Sequence, residues 1–490
     1  MRLTALLSTI PFYEASSSID HIEINTLEMD SRAVTEGSLF VCISGYTVDG
    51  HHFVEEAVSN GAVAIIAEKP VKADVPVISV SDTARTLSML AVKFYHDPTK
   101  SLPLIGITGT NGKTTVTYLL ETIFNYFERK TAVIGTIQMK IGKETYPVNN
   151  TTPDSLHLQR SFKKMLEEDV EQGIMEVSSH ALDMGRVYGC DFDIAVFTNL
   201  SQDHLDYHKN IDDYLRAKSL LFSQLGNTYE EQARKFAVIN ADDPASDLLK
   251  RSTAQHVITY GCKKQAQIMA KDIKLDASGT YFRMVTPAGD IEVNSNLIGN
   301  FNVYNMLAAS GAAIASNIPL SVIKEALESI KGVSGRFESV GEGQHFSVIV
   351  DYAHTPDSLE NVLQTAKGFA ANKVYVIIGC GGDRDRTKRP LMAGVALKYA
   401  DHAIFTSDNP RTEDPQAILD DMTAEIKSTE KNYEVIVDRK KAIHHAVQIA
   451  EKDDIILIAG KGHETYQQIG HTKYDFDDRE IARQAIQVKE

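Results

Sequence analysis

The chain has 490 residues, 43% hydrophobic and 24% charged, which suits an ordinary globular protein of roughly three domains. Its 50 Lys and Arg against 66 Asp and Glu give a net charge of −16, which argues against nonspecific binding to nucleic acid or to an anionic membrane surface. The four cysteines (Cys42, Cys190, Cys262, Cys380) are far apart with no CxxC spacing, which speaks against zinc and against a disulfide framework. No run approaches the roughly 20 apolar residues that a membrane helix needs. Residues 1–13 lack the pattern of a signal peptide, so the expectation is a cytoplasmic protein, not inserted in a membrane and acting as a monomer.

In chain order, apolar strands at 39–43 and 62–67 flank a turn at Asp49-Gly50 and predict a small α/β domain ending near Asp97-Pro98. A strong strand follows at 102–108, and further buried strands are expected at 132–137, 173–177, 194–198 and 237–240. Runs that are apolar on both faces belong to parallel sheets covered by helices. Between 271 and 297 the residues alternate with Gly turns, as in antiparallel strands, and a helix over 302–315 leads to Gly332-Val-Ser-Gly335. The last third holds four strands, at 348–350, 374–378, 403–406 and 455–459. They run into four polar loops, Asp351-Tyr-Ala-His354, Gly379-Cys-Gly-Gly-Asp383, Asp408-Asn409-Pro410-Arg411 and Gly460-Lys-Gly-His-Glu464. Ligands of open parallel sheets bind outside such carboxyl ends. The predicted fold is α/β in three domains: a small N-terminal α/β domain (1–98), a central P-loop parallel-sheet ATPase domain (99–331) and a C-terminal Rossmann-like domain (332–490).

The sharpest motif is Gly106-Ile-Thr-Gly109-Thr110-Asn111-Gly112-Lys113-Thr114-Thr115, placed after a strand and before a helix-like run to Phe127. Its glycines let backbone N–H groups close on phosphates at a helix N-terminus. Lys113 can reach the β- and γ-phosphates of a nucleotide and the Thr114 hydroxyl can bind Mg²⁺. A Gly-rich turn with a surface lysine is the plain alternative. A guanine-specific Asn-Lys-x-Asp is absent at Asn199-Leu-Ser-Gln202 and at Asn240-Ala-Asp-Asp243, which favours ATP.

The spelling Gly-Thr-Asn-Gly-Lys-Thr resembles the Mur ligase family, and so do Met175-Glu176-Val-Ser178-Ser179-His180 and Thr198-Asn199-Leu-Ser-Gln-Asp203-His204-Leu-Asp206-Tyr-His208. The likeness continues through Tyr214-Leu-Arg-Ala-Lys218, Asn302-Val-Tyr-Asn305, Gly335-Arg336 and Asp351-Tyr-Ala-His354-Thr-Pro356. These motifs recur in order from about residue 30 to residue 480, nearly the whole chain. The nearest members add the third amino acid of the cell-wall peptide. The resemblance implies that ATP phosphorylates the terminal carboxylate of UDP-N-acetylmuramoyl-L-alanyl-D-glutamate, and that the amine of meso-diaminopimelate then attacks the acyl phosphate.

It also implies roles for single residues. Lys113, Glu176, His204 and Lys218 would be catalytic, with Mg²⁺ held by Thr114, Glu176, His204 and a carbamylated Lys218. From the residues alone, Glu176 also reads as a solvated strand-end acid, His204 as a structural histidine and Lys218 as a solvated helical lysine. Mg²⁺ prefers oxygen, so a histidine ligand is unusual. Asn305, Arg336 and Asp351 fall where the family contacts ATP; Ser31 lies in the uridine-binding region, with the loop Ser44-Gly45-Tyr46. Asn150, Thr151, Thr152, Ser178 and Arg186 match the grip on the peptide, and Met184 stands where some relatives carry Gln.

For the added amino acid, Arg389 and Arg411 can take a carboxylate through two parallel hydrogen bonds. Asp408, Asn409, Pro410, the Gly460 carbonyl and Glu464 complete the expected site, the acceptors among them for an ammonium. L-Lysine lacks the distal carboxylate and would leave Arg411 desolvated, at a cost of about 2–4 kcal/mol. The alternatives are a lysine-adding sibling, a folylpolyglutamate synthetase, or a nucleotide-switched binding protein without ligase chemistry.

Overall fold

Dense β-branched runs in the sequence become strands wherever helices cover both faces. The computed structural model describes residues 1–45, 48–148, 150–229, 235–276, 279–426 and 432–489, so Tyr46 lies outside the described residues. The chain forms two units, one of Met1–Gly106, Glu128–Ala195 and Leu220–Lys235, the other of Ile107–Phe127, Val196–Ser219 and Phe236–Glu490.

In the first unit a five-stranded sheet runs Glu14–Ala15, Val77–Ser79, Ala62–Ala67, Ser38–Val41, Thr26–Glu28. All its pairs are parallel except that of Glu14–Ala15 with Val77–Ser79. Leu39, Val41, Ala64 and Ile66 face one side with helix Thr83–Phe94; Phe40, Cys42 and Ile65 face the other with Val54 and Ala57. That alternation is the period-two pattern of a two-sided core. The same unit pairs Thr131–Ile134 in parallel with Gln172–Glu176, and extends through the antiparallel strands Met139–Ile141 and Glu144–Tyr146.

In the second unit Phe236–Asn240, His256–Gly261 and Ile268–Asp276 pair in parallel. Gly279–Thr286 and Gly289–Ser295 then add antiparallel strands, as the alternation over 271–297 predicts. The helix Asn300–Ala315 is buried along most of its length, and its small residues permit that close packing. The C-terminal sheet orders Glu338–Val340, Ser347–Asp351, Ile455–Ala459, Val374–Ile378, His402–Phe405 and Tyr433–Val435, with only the first pair antiparallel. The four strands singled out by their polar loops are therefore neighbours, and their loops open at one end of one sheet. One face packs Leu359, Leu363, Met392 and Leu419, and the other packs Ile443, Val447, Ile481 and Ile486. No helix among the described residues is long and apolar enough to cross a membrane.

Behind those loops lies a fully buried ion pair. Arg439 donates from Nε to Asp478 Oδ1 (2.8 Å) and from Nη2 to Asp478 Oδ2 (2.7 Å), and Nη2 also reaches the Ala459 carbonyl (2.9 Å). Burial depresses the Arg439 guanidinium, but the Asp478 charge and hydrogen bonds outweigh this and raise its affinity for the proton. Replacing one partner strands the other charge in the core. Arg439→Met should therefore destabilise the C-terminal transition by about 3–5 kcal/mol in a denaturant titration, and Asp478→Leu in the same chain should recover much of that loss.

Candidate active site

The phosphate loop follows the strand Leu104–Thr108 and opens the helix Lys113–Tyr126. Gly112 caps that helix at φ +88°, and a Cβ there would come within 2.4 Å of Asn305 Oδ1, so only glycine fits. Asn305 is held by donating Nδ2 to Asn302 Oδ1 (3.1 Å). The loop is clamped by the segment after Phe197. Thr110 N donates to the Asn199 carbonyl (2.8 Å), Asn111 N to Asn199 Oδ1 (3.0 Å), and Thr198 Oγ1 to the Asn111 carbonyl (2.6 Å). Thr114 and Thr115 are buried beneath it.

Two ammonium groups converge on this loop. Lys113 Nζ donates to the carbonyls of Gly109 and Thr110, each at 2.9 Å. Lys218 Nζ, from helix Ile211–Ser223, donates to the same Gly109 carbonyl at 2.8 Å and lies 4.2 Å from the Tyr214 ring centroid. Lys218 is 1% exposed, which overturns the reading of a solvated helical lysine. Burial, and then the Lys113 charge, push its amine well below the usual lysine range, with Asp203 opposing.

Asp203 and His204 follow the clamp. His204 has a left-handed backbone (φ +56°), fixed by its N–H donating to Asp203 Oδ1 (2.9 Å). Burial acts to raise the Asp203 carboxyl, but the His354 hydrogen bond and the charges of His204, His354 and Lys388 hold it well below the usual carboxylate range. His354 Nε2 lies 3.7 Å and Lys388 Nζ 3.8 Å from its oxygens. Two further contacts tie the loop to C-terminal residues: Arg336 Nη2 donates to Thr114 Oγ1 (3.1 Å) and Asn111 Nδ2 to Asp357 Oδ2 (3.1 Å). Arg336 also covers the Tyr352 ring at 4.3 Å. Asp351 accepts from the N–H groups of Phe337 (2.6 Å) and Ala353 (2.7 Å); burial raises its carboxyl, with Arg336 and those donors offsetting part of the rise. The preceding Gly335 (φ +65°) packs so closely that a Cβ would sit 2.0 Å from His463 N.

The first unit gathers another group. Glu176, 1% exposed, accepts from Thr136 N at Oε1 and from Thr136 Oγ1 at Oε2, both at 2.9 Å. Thr136 Oγ1 also bonds Thr151 Oγ1 (3.1 Å). Thr152 Oγ1 donates to the Glu176 carbonyl (2.9 Å) and accepts from Ser178 N (3.0 Å), while Arg186 Nη1 donates to the Thr152 carbonyl (3.1 Å). Thr151, Thr152, Ser178 and Arg186 thus surround Glu176, whereas Asn150 is exposed. Met184 is 39% exposed beside Arg186, its sulfur 3.6 Å from Nη2. Ser31 is buried with its hydroxyl donating to Glu56 Oε2 (2.7 Å), and Ser44 Oγ donates to Glu68 Oε1 (2.6 Å).

At the C-terminal loops the structure corrects one expectation. Arg389 is fully buried and its fork is already taken: Nη1 donates to Glu413 Oε2 (3.0 Å) and Asp421 Oδ2 (2.8 Å), Nη2 to Glu413 Oε1 (2.8 Å). Its remaining donor, Nε, is buried without a partner among the described residues, so no accessible edge is left for a substrate carboxylate. Arg384, in the same loop but exposed, packs with Arg411 against Gly381, and neither arginine forms an ion pair among the described residues. Arg411 (φ +50°) donates Nη1 to the Gly382 carbonyl (2.7 Å). Across the loop end, Asn409 Nδ2 donates to Glu464 Oε2 (2.8 Å), and Lys461 Nζ sits between Asn409 Oδ1 and Glu464 Oε2, 3.0 Å from each. The hairpin of Tyr466–Ile469 with Thr472–Asp475 closes the site, with Gln467 Nε2 donating to the Asp408 carbonyl (2.7 Å) and Gln468 N to Asn409 Oδ1 (2.9 Å). Burial, then Glu464 and Asp408, raise the Tyr466 phenol against the pull of Arg411 and Arg384. Sequence reasoning missed Arg384, Lys461 and both glutamines; the basic loop and the Gly-Lys-Gly-His-Glu run were the available signals.

Three family models match in succession: the Mur ligase family, catalytic domain, over 23–95, the Mur ligase middle domain over 107–313, and the Mur ligase, glutamate ligase domain over 335–462. The UDP-N-acetylmuramoyl-L-alanyl-D-glutamate–2,6-diaminopimelate ligase of Oceanobacillus iheyensis is 68% identical over 491 residues, covering 100% of both chains. The Bacillus cereus ligase of the same name is 57% identical, covering 99% of this chain and 98% of its own. A solved structure of a UDP-N-acetylmuramoyl-L-alanyl-D-glutamate–2,6-diaminopimelate ligase is 35% identical, covers 99% of each chain and superposes with a TM-score of 0.70. Three family models in succession over most of the chain, and full-length relatives at 68% and 57% identity, show that the chain belongs to the Mur ligase family.

Proposed function

We propose that this ligase joins meso-diaminopimelate to UDP-N-acetylmuramoyl-L-alanyl-D-glutamate, with ATP converting the glutamate carboxylate into an acyl phosphate. The observation that carries the reading is the pairing of opposite charges at one end of one sheet, Arg411 and Asn409 in the loop after His402–Phe405 and Glu464 in the loop after Ile455–Ala459. An amino-acid end bearing both carboxylate and ammonium satisfies both. The names of full-length relatives at 68% and 57% identity support the same substrates. The division 1–98, 99–331 and 332–490 organises the activity, since one family model falls within each part. Dependence on ATP supports a cytoplasmic site for the reaction.

The chemistry requires an anionic carboxylate to meet an anionic γ-phosphate. The N–H groups at the helix start, from Gly112 to Thr115, and the Lys113 ammonium neutralise the phosphates and hold them in line. Arg336, beside Thr114, adds a second cation and covers the loop, which protects an acyl phosphate from water. Asp351 fixes the backbone that aims Arg336. Among the described residues no group of three His, Cys, Asp or Glu side chains can hold a metal, so a divalent ion needs other oxygen donors. The Thr114 hydroxyl and a carbamylated Lys218 would meet that need together with phosphate oxygens, with the His204 imidazole as a nitrogen donor beside them. When bound, Mg²⁺ supplies charge neutralisation on the phosphates. Glu176, with Thr151, Thr152, Ser178 and Arg186, serves the peptide side in the first unit, and Ser31 shapes the uridine region through its bond to Glu56. Arg384 takes the carboxylate role expected of Arg389.

Phosphate release from ATP with the UDP-dipeptide present should rise strongly with meso-diaminopimelate and not with L-lysine, with tripeptide product by mass. Release with lysine instead would overturn the reading of Arg411. Carbamylation needs a neutral amine, which the lowered Lys218 provides; as pH falls the amine protonates and the carbamate is lost. Activity should therefore depend on bicarbonate most sharply at the acid end of the profile. Lys218→Ala should lose roughly 100-fold or more in kcat and regain part of it with a short carboxylic acid. An undiminished variant would remove the carbamate from the mechanism. Arg384→Ala should raise KM for meso-diaminopimelate with little change in KM for ATP or in Tm. Arg389→Ala should instead destabilise the domain by about 3–5 kcal/mol, because Glu413 and Asp421 lose their common cation.

A further inference from the structure

Lys461 is the least expected group at the C-terminal loops. It follows the strand Ile455–Ala459 and is 0% exposed. A wholly buried ammonium persists only where acceptors compensate it. Among the described residues Lys461 has two such acceptors, Asn409 Oδ1 and Glu464 Oε2, each at 3.0 Å. The consequences for those two residues differ. Asn409 receives Lys461 Nζ and Gln468 N at Oδ1, which fixes its amide so that Nδ2 points at Glu464. Glu464 receives both Lys461 and Asn409 at Oε2, which leaves Oε1 without a protein donor among the described residues. Glu464 keeps 16% of its side chain exposed, so the open oxygen belongs to the accessible side.

We infer that Lys461 is a positioning residue that sets specificity for the distal ammonium of the added amino acid, by locking Glu464 and Asn409 so that Glu464 Oε1 stands preformed as its acceptor. The inference rests on the reading that this site takes meso-diaminopimelate. Two effects of Lys461 oppose each other. Its charge repels an incoming ammonium, but it also holds a flexible carboxylate out of water before substrate arrives. Without it Glu464 would turn to solvent and leave Asn409. The substrate would then have to order and desolvate the carboxylate at the moment of binding. Preorganisation decides the sign, because a carboxylate with two oxygens can serve two cations at once, one on each. Lys461 therefore tightens binding of a ligand that carries the distal ammonium and does little for one that lacks it.

The discriminating ligand is 2-aminopimelate, which keeps the distal carboxylate and lacks the distal amine. In full-length enzyme, Lys461→Met should raise KM for meso-diaminopimelate roughly 10- to 100-fold, the loss expected when an acceptor must be assembled on binding, while KM for ATP moves less than about 2-fold. The ratio of kcat/KM for meso-diaminopimelate over 2-aminopimelate should shrink by a similar factor. A merely structural lysine would weaken both ligands alike, so an unchanged ratio overturns the inference. A rise in the ratio would also overturn it, by making Lys461 a competing charge. Should Lys461→Met fail to fold, the double variant Lys461→Met with Glu464→Gln removes both ions of the pair. Compared with Glu464→Gln alone it should show the same ratio, because Lys461 acts through Glu464; a further fall would overturn the inference. If wild-type enzyme does not couple ATP to meso-diaminopimelate, the substrate reading fails. If it does and the ratio ignores Lys461, the inference about Lys461 fails alone.

Discussion

The Gly109 carbonyl accepts two ammonium groups, from Lys113 and from Lys218, and the chemistry of the second unit is built on that crowding. Two cations on one oxygen cannot be equivalent. Lys113 stands at the helix start with its ammonium on the Gly109 and Thr110 carbonyls. Lys218 is enclosed, and burial with the Lys113 charge drives it toward the neutral amine. A protein with 16 excess negative charges must still collect cations where a triphosphate binds. It does so locally, and burial first, then the neighbouring Lys113 charge, lower the affinity of Lys218 for its proton.

The segment Thr198–His204 shows how such crowding is held in place. Thr198 and Asn199 bond the loop backbone, Asp203 collects His354 and Lys388, and His204 is forced into a left-handed backbone. His204, Phe337, Asp383 and Arg411, all non-glycine residues at positive φ, lie in or beside the loops discussed. Strain of this kind persists where neighbours over-determine the backbone, and each of these residues does have a fixed partner: Asp203 for His204, Asp351 for Phe337, Glu413 for Asp383 and the Gln468 carbonyl for Arg411. Rigidity at these points places Arg336 beside Thr114 and Arg411 beside Gly382.

Much of this was legible in the sequence because strand ends are legible. Val374–Ile378 and Ile455–Ala459 are apolar runs with polar residues immediately after them, and burial on both faces demands that composition. Lys218 was not legible from its own helix, whose pattern places a lysine at solvent; only the resemblance flagged it, since its burial depends on a loop 109 residues away. The hairpin from Tyr466 to Asp475 left no signal either. Its strands are half-buried or exposed and carry Gln, Thr and Lys, so they lack the apolar alternation that marks a strand, yet Gln467 and Gln468 hold the Asp408–Asn409 backbone and side chain.

The misassignment of Arg389 has a more general cause. Sequence displays charge but not counter-charge, and around this site most cations are already matched. Arg389 has Glu413 and Asp421, Arg439 has Asp478, Lys461 has Glu464, and Lys388 has Asp203. A cation that owns a buried acid contributes to the frame, because breaking its pair would leave that acid uncompensated. A cation that serves a ligand must have spare donors in the folded protein, and Arg384 and Arg411 do, since among the described residues each side chain spends one hydrogen bond on a backbone carbonyl. The basic loop from Arg384 to Arg389 therefore divides by burial: the enclosed end anchors the loop and the exposed end keeps its donors open to solvent.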